Sequence, residues 1–169
     1  MPGSALVTPK AWRENVEMHL DSYCLLTKAA AERMRAAKVA GSIINLGSIS
    51  WHLGLEDLAI YQTAKAAIEG LTRSLARELG RDNIRVNAIS AGPIKTLAAS
   101  GIGDFRYILK WNELNSPLRR NVTIEDVGGS ALYLLSGLSS GVTGETHHVD
   151  AGYHLIGMKQ EDAPDIALS

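Results

Sequence analysis

The chain predicts an α/β fold, a parallel sheet covered by helices, and three observations carry that reading. Long stretches with apolar residues at three- and four-residue spacing alternate with short runs of strand character. The first of those runs, SIINLG, is apolar almost throughout, as a strand covered on both faces is. The connections between the runs are long enough to hold helices, which parallel neighbours require. The expected order is helix, strand, helix, strand, loop, helix, strand, with right-handed crossovers.

Each element has a local reason. Thr8 followed by Pro9 reads as an N-cap and first helical residue. Val16, Leu20, Tyr23, Leu26 and Ala30 then recur as one helical face, and the helix runs to about Lys38. A strand follows at about 43–47. The next helix starts near Leu58 or Tyr61 and ends at Leu79, with Ile68, Leu71, Leu75 and Leu79 as its apolar face. Gly80 suits the left-handed position after it. NIRVNAI gives a strand at about 84–89, and SAGPIKT turns away from it. Residues 97–115 read as irregular or weakly helical. Thr123 and Asp126 resemble a capping box that opens a helix from Ile124 to about Leu138. The last strand falls at about 146–150. A single domain over 1–158 and a loose polar tail over 159–169 complete the expectation.

Composition excludes several classes. Of 169 residues, 46% are hydrophobic, enough for a packed core. A net charge of −1 leaves no footprint for nucleic acid. The lone cysteine, Cys24, forms no internal disulfide framework and fits a reducing compartment. No apolar run has the length of a membrane span, and MPGSALVTPKAW has no secretory pattern, so a cytoplasmic location is expected.

Chemistry concentrates in SISWHLGLEDLAIYQTAKAAIEGLTRSLAREL. Tyr61 and Lys65 are four residues apart, which places them on one helical face. An ammonium beside a phenol favours the phenolate, so the pair suits general acid–base work. Ser48 follows the carboxyl end of a strand, where open parallel sheets place ligands. Its hydroxyl could hydrogen-bond a substrate carbonyl. A Tyr-x-x-x-Lys spacing by itself is common in helices; the strand-end serine before it and the GPI turn after it give it weight.

With these residues in place, INLGSIS followed by YQTAKAAIEGLTRSLARELGRDNIRVNAISAGPIKT resembles the short-chain dehydrogenase/reductase family, over about 12–152. The resemblance implies the carboxyl-terminal part of a Rossmann-like, doubly wound sheet. It implies hydride transfer between NAD or NADP and a carbonyl, alcohol or activated double bond. Ser48, Tyr61 and Lys65 are then the catalytic serine, tyrosine and lysine, the lysine also holding the nicotinamide ribose. Gly92, Pro93, Ile94 and Thr96 meet the nicotinamide carboxamide; 97–111 form a lid over the substrate.

The two halves of the chain resemble different members. The stretch before about residue 88 is similar to sugar and 3-oxoacyl reductase types. The stretch after it is similar to bacterial enoyl-acyl-carrier-protein reductases, which implies an acyl-carrier substrate and fatty acid biosynthesis. Those reductases space tyrosine and lysine seven apart, whereas this chain spaces them four apart. The family's glycine-rich pyrophosphate turn has no counterpart here. Gly101-Ile102-Gly103 follows no strand and lacks the third glycine.

Two rival readings arise from that gap. One is a non-catalytic half-domain acting through oligomerisation or partner binding. The other is an enzyme that works without a dinucleotide. The family also implies a homo-oligomer through the two long helices, with Tyr23, Leu26 and Leu71 at the interface or in the core; an exposed sheet edge is the alternative contact.

Other residues carry open alternatives. His19 stands where the family has a relay asparagine, and Asn15 lies one turn earlier. Trp51, His52 and Leu53 line a pocket or merely pack the loop. His147 and His148 are adjacent on a strand and face opposite sides. Arg119 and Arg120 read as surface residues. Asn121 and Thr123 match a glycosylation pattern that no secretory signal supports.

Overall fold

A computed structural model describes residues 8–55, 58–96 and 105–166. Three parallel strands, β1 (Gly41–Leu46), β2 (Ile84–Ala91) and β3 (Thr146–Val149), form one sheet in the order β1-β2-β3. Gly41 pairs with Ile84 and Leu46 with Ile89; Ala88 pairs with Thr146 and Ala91 with Val149. The fold is α/β and Rossmann-like, as the alternation of elements required. β1 starts earlier and ends one residue sooner than 43–47, β2 runs two residues beyond 84–89, and β3 stops one residue short of 146–150.

Helices α1 (Pro9–Val16) and α2 (Ser22–Ala37) come from the predicted first helix, but a π-helical turn, Glu17–Asp21, separates them. Thr8 caps α1 as expected, its hydroxyl accepting from the Ala11 amide at 3.2 Å. At the wide turn the Ser22 amide reaches back five residues to Glu17. Such a turn holds one residue more than an α-turn and rotates the helix beyond it by about 100°. Val16, Leu20, Tyr23 and Ala30 are half-buried on both sides of it, as their spacing predicts. Leu26, read as interface or core, is 71% exposed, while Thr27 and Ala31 are buried.

Helix α3 (Ser50–Leu53) is one turn long; α4 (Ala59–Leu79) is the long helix that covers the sheet. Strand periodicity separates the two faces. Ile84 and Val86 point to α2 and α4, joining Ala31, Ala76 and Leu79 in a buried cluster with Met34, Ile43 and Leu75 at its border. Arg85 points the other way and donates to Ser139 Oγ and the Ser136 carbonyl, just beyond α6 (Ile124–Leu135). The buried line of α4 runs through Lys65, Ile68, Glu69, Thr72 and Ala76 to Leu79; Leu71 and Leu75 sit only at its margin. Buried polar side chains hold this face in register, with Asn45 Nδ2 donating to Thr72 Oγ1 at 2.9 Å.

Gly80 is not the left-handed residue after α4. It keeps right-handed geometry and opens a 3₁₀ turn, Gly80–Asp82, and Asn83 takes the left-handed position with φ 56°. The Thr123–Asp126 capping box is present in both directions. α6 ends at Leu135 rather than near Leu138, because Ser136 leaves helical geometry and caps a further 3₁₀ turn, Gly137–Ser139. The weakly helical stretch contains a full helix, α5 (Phe105–Asn115). Residues 97–104, with the G-x-G and the front of the expected lid, lie outside the described residues.

Residues 159–166, expected to be loose, lie against the body. Ala163 is buried, the Gln160 amide donates to Asn115 Oδ1 at 2.9 Å, and Asp162 pairs with Arg119 at 2.5 Å. Arg119 and Arg120 are surface residues; Arg120 pairs with Asp126 at 2.5 Å.

Candidate active site

The carboxyl ends of β1 and β2 bring the predicted residues to one edge of the sheet. Pairing continues past β1, since the Gly47 amide donates to the Ile89 carbonyl at 2.8 Å and the Ile49 amide to the Ala91 carbonyl at 3.1 Å. Ser48, between them, is thereby set beside the start of the Gly92 turn. Its Oγ donates to Ser50 Oγ at 3.0 Å and accepts from the Ser50 amide at 3.2 Å. Gln62, next to Tyr61, donates from Nε2 to the Ser50 carbonyl at 2.9 Å, which ties the serine turn to the first turns of α4.

Lys65 lies one turn after Tyr61 and is only 6% exposed. Its Nζ donates to the Leu46 carbonyl at 2.8 Å and to Tyr23 Oη at 3.4 Å. It stands 5.6 Å from the centre of the Tyr61 ring and 4.9 Å from that of Tyr23. Burial penalises the ammonium and pulls the Lys65 pKa down to about 8. His19, in the wide turn, meets the Tyr61 ring edge-on at 5.1 Å. Burial lowers its pKa, and the Lys65 charge lowers it further. Asn15 does not reach the pair; its side chain donates to the Ala11 carbonyl of its own helix.

The 92–96 segment leaves β2 without helix or strand geometry. The Gly92 amide donates to the Val149 carbonyl at 2.9 Å, and a β-carbon there would meet Asp150 Cα at 2.9 Å, so only glycine fits. Pro93, Ile94 and Thr96 are half-buried behind it.

Two residues escaped sequence reasoning. Tyr23, read as interface or core, touches the lysine. Glu69, 3% exposed, accepts from Trp51 Nε1 at 2.7 Å and from Thr146 Oγ1 at 3.3 Å. A signal for Glu69 was available: it continues the i, i+4 row of Tyr61 and Lys65. Trp51 therefore has a packing role. His52 lies 3.8 Å from Glu69 and stacks against Trp51. His147 and His148 do face opposite ways, toward Tyr133 and His154 respectively.

Comparison with known proteins shows the family. Residues 3–154 match the family model described as enoyl-(acyl carrier protein) reductase. The chain is 58% identical over 157 residues to an NADH enoyl-acyl-carrier-protein reductase of Rhizobium meliloti, covering 92% of this chain and 58% of that protein. The structure of the enoyl-acyl-carrier-protein reductase of Anaplasma phagocytophilum, solved in complex with NAD, superposes with a TM-score of 0.85 at 43% identity, over 95% of this chain and 58% of that one. A candidate gluconate dehydrogenase of Agrobacterium tumefaciens superposes with a TM-score of 0.82 at 27% identity, over 89% and 59%. The chain thus spans a little over half the length of the relatives it matches. The non-catalytic reading finds no support among relatives named as reductases. No described helix is long and apolar enough to cross a membrane. The chain belongs to the enoyl-(acyl carrier protein) reductase family of short-chain dehydrogenases/reductases.

Proposed function

We propose that this chain carries the proton-handling half of an NAD(P)-dependent reductase that acts on an enoyl or carbonyl group of an acyl-carrier substrate. The observation that carries the reading is a buried lysine one helical turn from Tyr61, at the strand ends where Ser48 and the Gly92 turn converge. The relatives' NADH dependence and acyl-carrier names support it.

The residues fit the nicotinamide end of a dinucleotide. The two hydrogen bonds of Lys65 Nζ use two of its three hydrogens, which leaves one for a ribose hydroxyl. Gly92, Pro93, Ile94 and Thr96 would contact the carboxamide. Among the described residues, none forms a glycine-rich turn after a strand to take the pyrophosphate, and the choice between NAD and NADP would rest on that end. A bound reduced nicotinamide would supply the hydride. Tyr61 Oη would give the proton to the substrate, Lys65 would stabilise the phenolate left behind, and Ser48 Oγ would orient the substrate carbonyl. The same reading places the chain in fatty acid biosynthesis in the cytoplasm, as a homo-oligomer. The exposed Met18, Leu25 and Leu26 along the first helices are consistent with a helix-mediated interface, and the edge of β1, unpaired among the described residues, with the alternative one.

Titration of the purified chain with NADH and NADPH, followed by calorimetry, tests the reading. Binding in the micromolar range, weakened at least tenfold by Lys65→Ala, is expected. Absence of binding at millimolar nucleotide would show that this site is idle in the chain.

A further inference from the structure

We propose that Tyr23 is a positioning residue for Lys65, holding the ammonium through its hydroxyl and its ring face. Lys65 approaches from α4, Tyr23 from α2, and the Leu46 carbonyl from β1, so three elements meet at one nitrogen. The Tyr23 hydroxyl lies 3.4 Å from Nζ, and the ring centre lies 4.9 Å from it. A hydroxyl oxygen and an aromatic face both favour a positive charge. Tyr23 thus supplies from a second helix part of the solvation that burial removes.

Tyr23 lies in the first turn of α2, directly after the wide turn at Glu17–Asp21. The other groups around Lys65 do not replace Tyr23. His19 packs edge-on against the Tyr61 ring. Glu69, one turn further along α4, is turned to Trp51 and Thr146. Tyr61 presents its ring at 5.6 Å but no hydrogen bond to Nζ. This inference deepens the reading of Lys65 as the group that tunes Tyr61, but its geometry stands without turnover.

The test is a titration of the Lys65 side chain by carbon-13 NMR at Cε in the full chain, assigned with Lys65→Met. A midpoint near 8 is expected in the parent. Tyr23→Phe keeps the ring and removes the hydroxyl; the midpoint falls by about half a unit. Tyr23→Leu removes both, and the fall is about one unit. Unchanged or raised midpoints in both variants, with unaltered far-ultraviolet circular dichroism, overturn the proposal. The parent protein gives a second readout: the Tyr23 Cζ resonance follows the Lys65 midpoint and loses that inflection in Lys65→Met. A Tyr23 signal indifferent to Lys65 overturns the proposal as well. Neither experiment uses nucleotide or substrate, so a failure of nucleotide binding leaves the proposal standing, and its own failure leaves the reductase reading intact.

Discussion

The indole nitrogen of Trp51 donates to Glu69 Oε1 at 2.7 Å, pinning the one-turn helix after Ser48 to the middle of α4. Glu69 is almost wholly enclosed, so removing it strands the Trp51 and Thr146 donors. Glu69→Ala should cost about 2–4 kcal/mol. Glu69→Gln, which keeps an acceptor for the indole, should cost about 1 kcal/mol. Urea unfolding followed by circular dichroism measures both, and equal losses would contradict the role given to the Trp51 bond.

Lys65 should make stability depend on pH in a particular direction. Its folded pKa of about 8 lies below its usual 10.5, so the unfolded chain binds more protons between those values. Stability therefore rises with pH across that window, and the cost of the buried ammonium is fully present below 8. Lys65→Met should be more stable than the parent at pH 7 by about 1–2 kcal/mol, with the lost hydrogen bonds offsetting part of the gain. The advantage should fade toward pH 10.5. A difference that stays constant across the window would show that Lys65 is not the group responsible.

At the start of α6 the Thr123 hydroxyl accepts from the Asp126 amide, and Asp126 accepts from the Thr123 amide. Thr123→Ala should cost about 1 kcal/mol by thermal unfolding. The Arg120 guanidinium and the Thr123 amide hold the Asp126 carboxyl down at about 2. The contribution of Asp126 is thus present above its usual 3.8 and lost as pH falls toward 2. Asp126→Asn should flatten the acid limb of the stability curve in that window.

Gly152 has φ 84°, and a β-carbon there would stand 2.8 Å from Pro117 Cγ. Gly152→Ala combines backbone strain with a steric clash and should cost about 2 kcal/mol or more. A melting temperature within a degree of the parent would contradict the close approach of Pro117.

Strand and helix order was legible because apolar periodicity and capping are local signals. Thr8, Thr123 and Asp126 announce their helices within four residues. The half-buried face through Val16, Leu20, Tyr23 and Ala30 was legible in the same way; Leu26 is the exception, with Thr27 and Ala31 buried beside it. The usual preference for glycine points to Gly80 as the left-handed residue after α4, while an extra turn hands that position to Asn83. Tyr61, Lys65 and Ser48 stand out in the sequence because they sit at a recognisable spacing. Tyr23 does not, because its contact with Lys65 spans 42 positions and depends on the phase of a different helix.

The five-residue turn at Glu17–Asp21 also bears on how this protein can change by inheritance. Gain or loss of a residue is usually absorbed by loops, and a helix facing the core is ordinarily a poor place for it. Here a single-codon deletion would tighten the turn to an ordinary α-turn while the helix beyond it keeps its phase, so Tyr23 stays against Lys65 and Leu26 stays outward. The segment is a place where the chain can change in length while the surroundings of Lys65 are kept.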